Sequence, residues 1–366
     1  MNEKRTALLT VCLLGAFLLT FSLWAYLKPD DAFSQSERRK LTQKPSCTVK
    51  SIYSGRYMSD FETYAPDQFP LREQFRTLRS LTSLYLLRQR DTNGVYLAEG
   101  YVSRLEYPMQ EDSIAHAARR FDYLYDTYLS GTNCRLYLSV IPDKGYFMAP
   151  SSGRPSLDYD ALVSRLREST PYMTYIDLFD LLTIEDYYRT DAHWRQERLE
   201  PVARRIAAAM GTDAGASYRE VTLERPFYGV YSGYAALPLA GESLSYLTND
   251  TIDACRVTNY ETGKTGPVYD LDKAAGSDPY ELFLSGSVSL LTVESPNART
   301  DRELVIFRDS FGSSLAPLLL EGYSRVTLVD IRYLSPSQLG NFLTFDRQDV
   351  WFLYSTSVLN NSSTLK

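Results

Sequence analysis

Short apolar runs alternate with helical segments towards the end of this chain, and that alternation limits the fold more than any other feature. Runs that are apolar at nearly every position are typical of strands covered on both faces. Strands separated by helices of this length form parallel sheets with helices on either side. The strand-like runs are 136–141, 304–307, 326–329 and 350–354, with helices expected at 313–320 and 335–343. The sequence therefore predicts a three-layer α/β/α domain with a mainly parallel sheet.

Polar residues stand at or just beyond the carboxyl ends of these runs and of a shorter one at 173–176. Ligands of parallel sheets bind at that edge. We therefore expect a site there, drawn from Asp143, Asp177, Ser310, Asp330 and Tyr354.

Three other regions have a predicted local structure. Residues 54–90, 113–129, 159–168 and 196–210 show helical spacing, and Gly211 is placed to end the last of these helices. Asn93-Gly94 is a turn signal, and the alternating residues that follow it at 95–97 and 101–102 predict a hairpin. Residues 212–300 are rich in Gly, Ser, Thr and Tyr and predict a β-rich insertion.

The N-terminus predicts a membrane anchor. Ala7 to Leu27 is free of charge and follows Lys4 and Arg5. A span of roughly 20 apolar residues crosses a bilayer, whereas a cleaved signal peptide has a shorter core and a small-residue cleavage site. We favour an uncleaved single-pass anchor (1–29), a tether (30–52) and an extracytoplasmic domain (53–366).

Charge and cysteine content exclude some classes of protein. The formal charge is -6 and the pI about 5.2, which argues against a nucleic-acid partner, because phosphate binding needs clustered Lys and Arg. Cys12 lies in the anchor. Cys47, Cys134 and Cys255 have no CxxC spacing, so they predict neither a disulfide framework nor a zinc site. A single disulfide between two of these three cysteines remains an alternative.

Two motifs carry the groups that activate a serine. Asp191 and His193 precede Trp194, and Ser310 follows an apolar run at a strand-to-helix turn. Asp, His and Ser together make a hydroxyl nucleophilic. Each motif alone also fits simple helix capping. A metal site is disfavoured, because the chain has too few histidine and cysteine ligands to form one. It has two histidines, and His116 is expected on a helix surface. The carboxylates near His193 in sequence are those of Asp177, Glu185 and Asp186.

The chain resembles the DHHW family of membrane-anchored bacterial proteins, whose Asp-His-His-Trp string appears here as Asp191-Ala192-His193-Trp194. That family is similar to the SGNH-hydrolase-like proteins of alginate O-acetylation. The resemblance also rests on Phe61-Glu62, 67–72, 93–95, 142–144, 308–312 and 330–333.

This resemblance implies an SGNH-hydrolase-like fold in which Ser310 is the nucleophile, His193 the base and Asp191 the residue that orients the base. It implies no cofactor. It also implies a partner, a multispanning membrane acyltransferase that supplies acetyl groups. Candidates for substrate or oxyanion binding are Trp194, Arg308, Asp309, Gly312, Lys144 and Arg332, with Asn297 also considered.

The predicted function is an extracytoplasmic O-acetyltransferase or esterase acting on a cell-surface polysaccharide through an acyl-serine. The alternative is a catalytically silent module that binds glycan or scaffolds a polysaccharide-modification complex. The two differ in whether Ser310 Oγ lies within hydrogen-bond reach of His193.

Overall fold

The computed structural model describes residues 3–215 and 217–366, so the first two residues of the predicted anchor and Ala216 of the predicted insertion lie outside it. The chain divides into two compact units. The first unit comprises the chain up to Asn93 with Ser232–Pro238, and the second comprises Gly94–Tyr231 with Leu239–Lys366. The predicted domain boundaries at residues 29 and 52 remain predictions.

The first unit is mainly helical. Its helices and strands are α1 (Glu3–Leu27), β1 (Phe33–Ser34), β2 (Arg39–Lys40), α2 (Val49–Tyr53), α3 (Arg56–Asp67) and α4 (Arg72–Leu81), which continues as a π-helical turn (Thr82–Leu86). Helix α1 has a mean hydropathy of 2.2 over its most apolar window and, among the described residues, is the one helix long and apolar enough to span a membrane.

The second unit is built on one large sheet. Its strands are β3 (Val95–Ala98), β4 (Tyr101–Arg104), β5 (Arg135–Ile141), β6 (Thr174–Tyr175), β7 (Arg219–Thr222), β8 (Ser245–Thr248), β9 (Arg256–Asn259), β10 (Lys264–Gly266), β11 (Leu290–Glu294), β12 (Glu303–Arg308), β13 (Arg325–Val329) and β14 (Asp349–Ser355). The main sheet has the order β10-β9-β11-β13-β12-β14-β5-β6. Strands β13, β12, β14, β5 and β6 are parallel.

Helices cover both faces of this sheet. They are α5 (Glu111–Leu124), α6 (Lys144–Ser152), α7 (Tyr159–Ser169), α8 (Glu200–Met210), α10 (Asp250–Ala254), α11 (Leu271–Ala274), α12 (Phe311–Leu315) and α13 (Thr356–Asn360), while α9 (Val230–Ala235) is divided between the units. Alternate residues of β12 enter different clusters: Leu304 and Ile306 pack on one face, Val305 and Phe307 on the other. The predicted three-layer α/β/α architecture is confirmed.

The elements differ from the predictions where proline intervenes. The helix expected at 313–320 is α12 followed by a 3₁₀ turn (Ala316–Leu319), because Pro317 has no N–H for an α-helical bond. Residues 335–343 form only a 3₁₀ segment that starts at Pro336. Within 212–300, strands β9, β10 and β11 extend the main sheet as an antiparallel edge.

Gly211 ends α8 with φ +66°, as predicted. His116 is half-buried rather than on the surface, with Nδ1 3.1 Å from Ser362 Oγ. All four cysteines are free thiols.

Candidate active site

Ser310 stands at the carboxyl edge of the main sheet, at the junction between β12 and α12. It is partly exposed, while β12 is buried from Leu304 to Arg308. Asp309 fixes this turn: its Oδ1 accepts the Phe311 N–H at 3.0 Å and its Oδ2 accepts the Ser355 N–H at 2.8 Å. Asp309 is therefore a buried structural carboxylate that orients Ser310 from behind.

Gly312 lets α12 pass close to β12. A Cβ at this position would lie 2.8 Å from Arg308 Cβ, closer than side-chain carbons approach one another. Gly312 thus permits the sharp turn that presents the Ser310 hydroxyl.

Asp191 and His193 lie in a tight turn closed by the Tyr188 N–H, which donates to His193 O at 3.1 Å. Asp191 is fully buried. Its Oδ1 accepts the His193 N–H at 3.0 Å and lies 2.5 Å from His193 Nδ1. Its Oδ2 accepts the Val230 N–H at 2.9 Å. The carboxylate therefore holds both the backbone and the ring of His193.

The other nitrogen of the same ring reaches Ser310. His193 Nε2 lies 2.7 Å from Ser310 Oγ, across 117 positions of sequence. Because Asp191 accepts from Nδ1–H, the neutral ring has its lone pair on Nε2, where it can take the serine proton. Ser310, His193 and Asp191 thus form a continuous chain of hydrogen bonds.

Two aromatic rings hold the imidazole in place. Tyr280 stacks on His193 with centroids 4.0 Å apart and an angle of 12° between the planes, and Phe311 lies at 4.9 Å. Burial raises the pKa of Tyr280 well above its usual value, so its hydroxyl remains a neutral donor. The ring of His193 is thereby fixed in the orientation that faces Ser310.

Trp194 points away from the open side of the site. Its Nε1–H donates to Ser314 Oγ at 2.8 Å, and the Tyr280 hydroxyl donates to the same oxygen at 2.8 Å. Ser314 in turn donates to Phe311 O at 3.2 Å. Trp194 and Ser314 are both fully buried, so they brace the rings around His193 and do not face a substrate.

Lys144 and Glu242 hold the chain that leads into Asp191. Lys144, which is 2% exposed, donates to Tyr188 O at 3.0 Å and Arg189 O at 3.2 Å. Glu242 accepts from the N–H groups of Arg189 and Thr190 at 2.9 and 3.0 Å. Burial lowers the pKa of Lys144 to about 7, against the opposing field of Asp191. The structure places Lys144 in a buried supporting position rather than on the surface.

Arg308 and Arg332 are occupied by Asp330. Arg332 makes a bidentate pair with it at 2.9 and 2.6 Å. Arg308 is fully buried, lies 3.8 Å from the same carboxylate and donates to Val288 O at 3.2 Å. Burial lowers the pKa of the Arg308 guanidinium. Of the two, only Arg332 retains some side-chain exposure, at 17%.

Asn297 lies at the opposite end of the sheet from Ser310. It follows β11, whose last residue, Glu294, pairs with Arg325 at the start of β13. Ser310 stands beyond the far end of the neighbouring parallel strand β12. Asn297 is therefore too distant to act as an oxyanion donor.

No group of three or more His, Cys, Asp and Glu side chains suited to a metal ion occurs within 3–215 and 217–366. Two of the three acidic residues near His193 in sequence cap local turns. Asp186 accepts from the Thr183 N–H at 2.7 Å, and Asp177 accepts from the Phe179 N–H at 3.0 Å.

A groove borders the turn that carries Asp191. Its volume is about 750 Å³, and it is lined by residues 97–102, 239–243 and the stretch around Arg189 and Thr190. The Arg189 guanidinium lies over the Tyr101 ring at 5.9 Å, and Arg198 lines the same groove. Sequence reasoning missed this groove, as it missed Tyr280, Ser314 and Glu242.

Comparison with solved structures identifies proteins of the same fold, whereas no family profile and no curated protein matches this chain. A DHHW family protein from Eubacterium siraeum is 18% identical, with a TM-score of 0.60, and the match covers 75% of this chain and 95% of that one. PatB1 from Bacillus cereus is 16% identical, with a TM-score of 0.53 over 72% of this chain and 96% of that one. PatB1 is also known with a sulfonyl adduct. The O-acetyltransferase domain of Pseudomonas putida AlgJ is 13% identical, with a TM-score of 0.47 over 73% of this chain and 92% of that one.

Proposed function

We propose that this protein is an O-acetyltransferase or acetylesterase that acts on a cell-surface polysaccharide outside the membrane. The observation that carries the proposal is the chain of hydrogen bonds from Ser310 Oγ through His193 to Asp191, with links of 2.7 and 2.5 Å. A silent binding module has no need for a buried carboxylate, a clamped imidazole and a partly exposed serine in this order.

The reaction proceeds in two steps that use the same base. Ser310 Oγ attacks the acetyl carbonyl of the donor while its proton passes to His193 Nε2, and the leaving group takes that proton as it departs. A sugar hydroxyl then attacks the acetyl-serine. His193 accepts the sugar proton and returns it to Ser310 Oγ as the ester is released. Water in place of the sugar gives the esterase reaction.

The groove beside Asp191 is the proposed acceptor site. Aromatic faces and guanidinium groups suit sugar rings and their acidic substituents. Tyr101, Arg189 and Arg198 supply these groups along a groove that reaches Thr190, next to Asp191. In this proposal, Lys144 and Arg308 support the site and do not bind the polymer.

The proposed topology places the donor at the membrane. Helix α1 acts as an uncleaved anchor with its N-terminus inside, so that the second unit works on the outer side. A membrane-bound acyltransferase is the proposed source of acetyl groups.

The test is turnover of a chromogenic acetyl ester by the full-length protein in detergent. We expect Ser310→Ala and His193→Ala to abolish turnover. Ser313→Ala is the matched serine control, because Ser313 lies on the same short helix and its Oγ has no partner within the described residues. His116→Ala is the corresponding histidine control. Equal activity in Ser310→Ala and Ser313→Ala would refute the proposed nucleophile.

A sulfonyl fluoride provides a second test that needs no turnover. The reagent should add one sulfonyl group to the peptide that contains Ser310, and His193→Ala should slow the addition strongly. An unlabelled Ser310 in an active protein would place the nucleophile elsewhere. If the protein neither turns over the ester nor takes up the label, the silent-module alternative is favoured.

A further inference from the structure

Helices α3 and α4 pack against the C-terminal half of α1. The Phe21 ring stacks on Phe69 with centroids 5.4 Å apart and meets Phe75 edge-on at 5.6 Å. Phe17 and Phe61 line the same contact, around a cavity of about 410 Å³. One side of the last turns of α1 therefore contacts the rest of the first unit, while Leu23, Tyr26 and Leu27 stay 60%, 77% and 68% exposed.

This packing fixes a depth if α1 spans the bilayer. Phe21 lies six residues before Leu27, so it stands about 9 Å below the outer end of the helix at 1.5 Å per residue. The uncharged stretch from Ala7 to Leu27 has roughly the 20 residues that a span requires, so none of it can project into water. The rings that contact Phe21 must therefore lie within the outer leaflet.

The helices after the anchor carry exposed apolar residues at helical spacing. Val49, Ile52 and Tyr53 follow one face of α2 and are 86%, 55% and 95% exposed. Met58 and Phe61 lie on one face of α3 and are 58% and 40% exposed. Further exposed apolar side chains on α4 and its π-helical turn are Leu78, Tyr85 and Leu86. Such stripes are costly in water and typical of helices that lie in a membrane interface.

The charge of this segment is opposite to that of the chain. Residues 37–90 contain eleven Lys and Arg and five Asp and Glu, whereas the whole chain has a formal charge of -6. Five of these basic and four of these acidic residues lie within 49–86, so most of the basic excess lies just before and just after the helices. Lys50, Arg56 and Arg88 stand beside the apolar stripes. Long basic side chains extend their charge to the headgroup layer while their stems stay in apolar surroundings. Basic residues that flank an apolar surface beside a membrane span are complementary to anionic lipid.

We propose that α2, α3, α4 and the π-helical turn form an interfacial platform (Val49–Leu86) that inserts into the outer leaflet and binds anionic lipid headgroups. The proposal rests on α1 being the anchor described above, but it does not depend on the chemistry of Ser310. In this proposal, the helices at and after the end of the predicted tether (30–52) lie in the membrane and not in water.

The test is the depth of a single spin label in reconstituted full-length protein. The four native cysteines are replaced, and one nitroxide is placed at Met58→Cys or Leu86→Cys. A label at Tyr260→Cys, an exposed site of the second unit, is the control. Vesicles contain phosphatidylcholine with phosphatidylglycerol and no other protein. We expect labels at 58 and 86 to collide several-fold less with a water-soluble nickel chelate than the label at 260, and more with oxygen.

The headgroup part of the proposal has its own variant. Lys50→Glu combined with Arg88→Glu should raise nickel collisions at position 86 in vesicles with phosphatidylglycerol. No change in that variant would overturn the role of anionic lipid.

Three other results would overturn the platform. If the labels at 58 and 86 are as accessible to the nickel chelate as the label at 260, the platform lies in water and its apolar side chains are available to a protein partner. Protection that disappears when the protein is diluted in lipid would assign the face to a second copy of this chain. If the protein resists alkaline extraction but its labels at 58 and 86 collide freely with the nickel chelate, α1 is an anchor and the platform does not insert.

Discussion

At the scale of single residues, the geometry of the site depends on the hydrogen bonds that the Asp191 carboxylate accepts. One oxygen lies against both nitrogens that His193 offers it, and the other accepts the Val230 N–H. A buried carboxylate with three such contacts keeps its position, and by accepting from Nδ1–H it leaves the lone pair of the neutral imidazole on Nε2.

Asp191→Asn should therefore reduce ester turnover by roughly 10³–10⁴-fold, because an amide in this position favours the wrong tautomer of His193. The measurement is turnover beside the thermal unfolding temperature. Asp186→Asn is the control, since Asp186 only caps the turn at Thr183. A loss of less than tenfold in Asp191→Asn would show that this carboxylate does not orient the base.

Gly229→Ala tests the close approach behind Asp191. A Cβ at this position would lie 2.3 Å from Thr190 O and 2.4 Å from Asp191 N, and backbone atoms cannot move aside. We expect turnover to fall and the free energy of unfolding to drop by about 1–3 kcal/mol. Gly266→Ala, with nothing within 4 Å, should leave both unchanged. Full activity in Gly229→Ala would contradict the expected displacement.

The sequence predicted Ser310, His193 and Asp191 but not the residues that hold them. The two motifs carry the residue types that the chemistry needs, so they can be recognised without a structure. Tyr280 and Glu242 have no such signature: they meet the site only through the fold, from 87 and 52 positions away in the chain. Arg308 and Trp194 were candidates for binding, yet both side chains are fully buried in the core.

At the scale of elements, α6 joins the main sheet to the turn that carries Asp191. Lys144 begins this helix, three residues after the end of β5, and donates to the carbonyls of Tyr188 and Arg189. Arg189 O also accepts the Val102 N–H at 2.8 Å, so Lys144 matters most for Tyr188 O.

Lys144→Met should lower the free energy of unfolding by about 1–3 kcal/mol at pH 8, because it removes the donor from a buried carbonyl. Burial lowers the pKa of Lys144 to about 7, so at pH 8 the wild-type amine is mostly neutral and still donates. Chemical denaturation in detergent measures the change. An unchanged free energy would mean that Tyr188 O finds another donor.

The strands were predicted more accurately than the helices, for a physical reason. Runs such as 304–307 and 350–354 are apolar throughout, and only a strand in the middle of a covered sheet buries both faces at this length. The helices near the end of the chain are short and contain Pro317 or Pro336, which replace α-helical bonds by 3₁₀ turns. The spacing of apolar residues alone does not reveal that these α-helical hydrogen bonds are missing.

At the scale of the whole molecule, stability should depend on the ionisation of a buried acid. Asp143 accepts from the Thr356 hydroxyl and the Gly145 N–H, at 2.7 Å each, between β5 and α6. Burial is the largest effect on its carboxyl group and raises the pKa from 3.8 to about 6. The folded protein therefore holds a proton between these two pH values that the unfolded chain releases.

The sign of the effect follows from that proton. The contribution of Asp143 to the free energy of unfolding is fully present below pH 3.8 and is lost as the pH rises through about 6. The change amounts to about 3 kcal/mol at 1.36 kcal/mol per pKa unit. We expect the stability of the wild type relative to Asp143→Asn to fall over this interval and to stay constant above it. Urea unfolding at several pH values measures the difference, and a difference that does not vary with pH would contradict the raised pKa.

The position of β14 in the main sheet has a consequence for how the protein is made. Strand β14 joins β12, which Ser310 follows, to β5, on the side from which the chain continues to His193. It follows every other strand of the sheet in the sequence, so a ribosome delivers it last. Until then Ser310 follows one piece of sheet, β10-β9-β11-β13-β12, and His193 follows another, β5-β6. Under the proposed function, a nascent chain therefore lacks the contact between Ser310 and His193, and with it the proposed activity, until synthesis has passed Ser355.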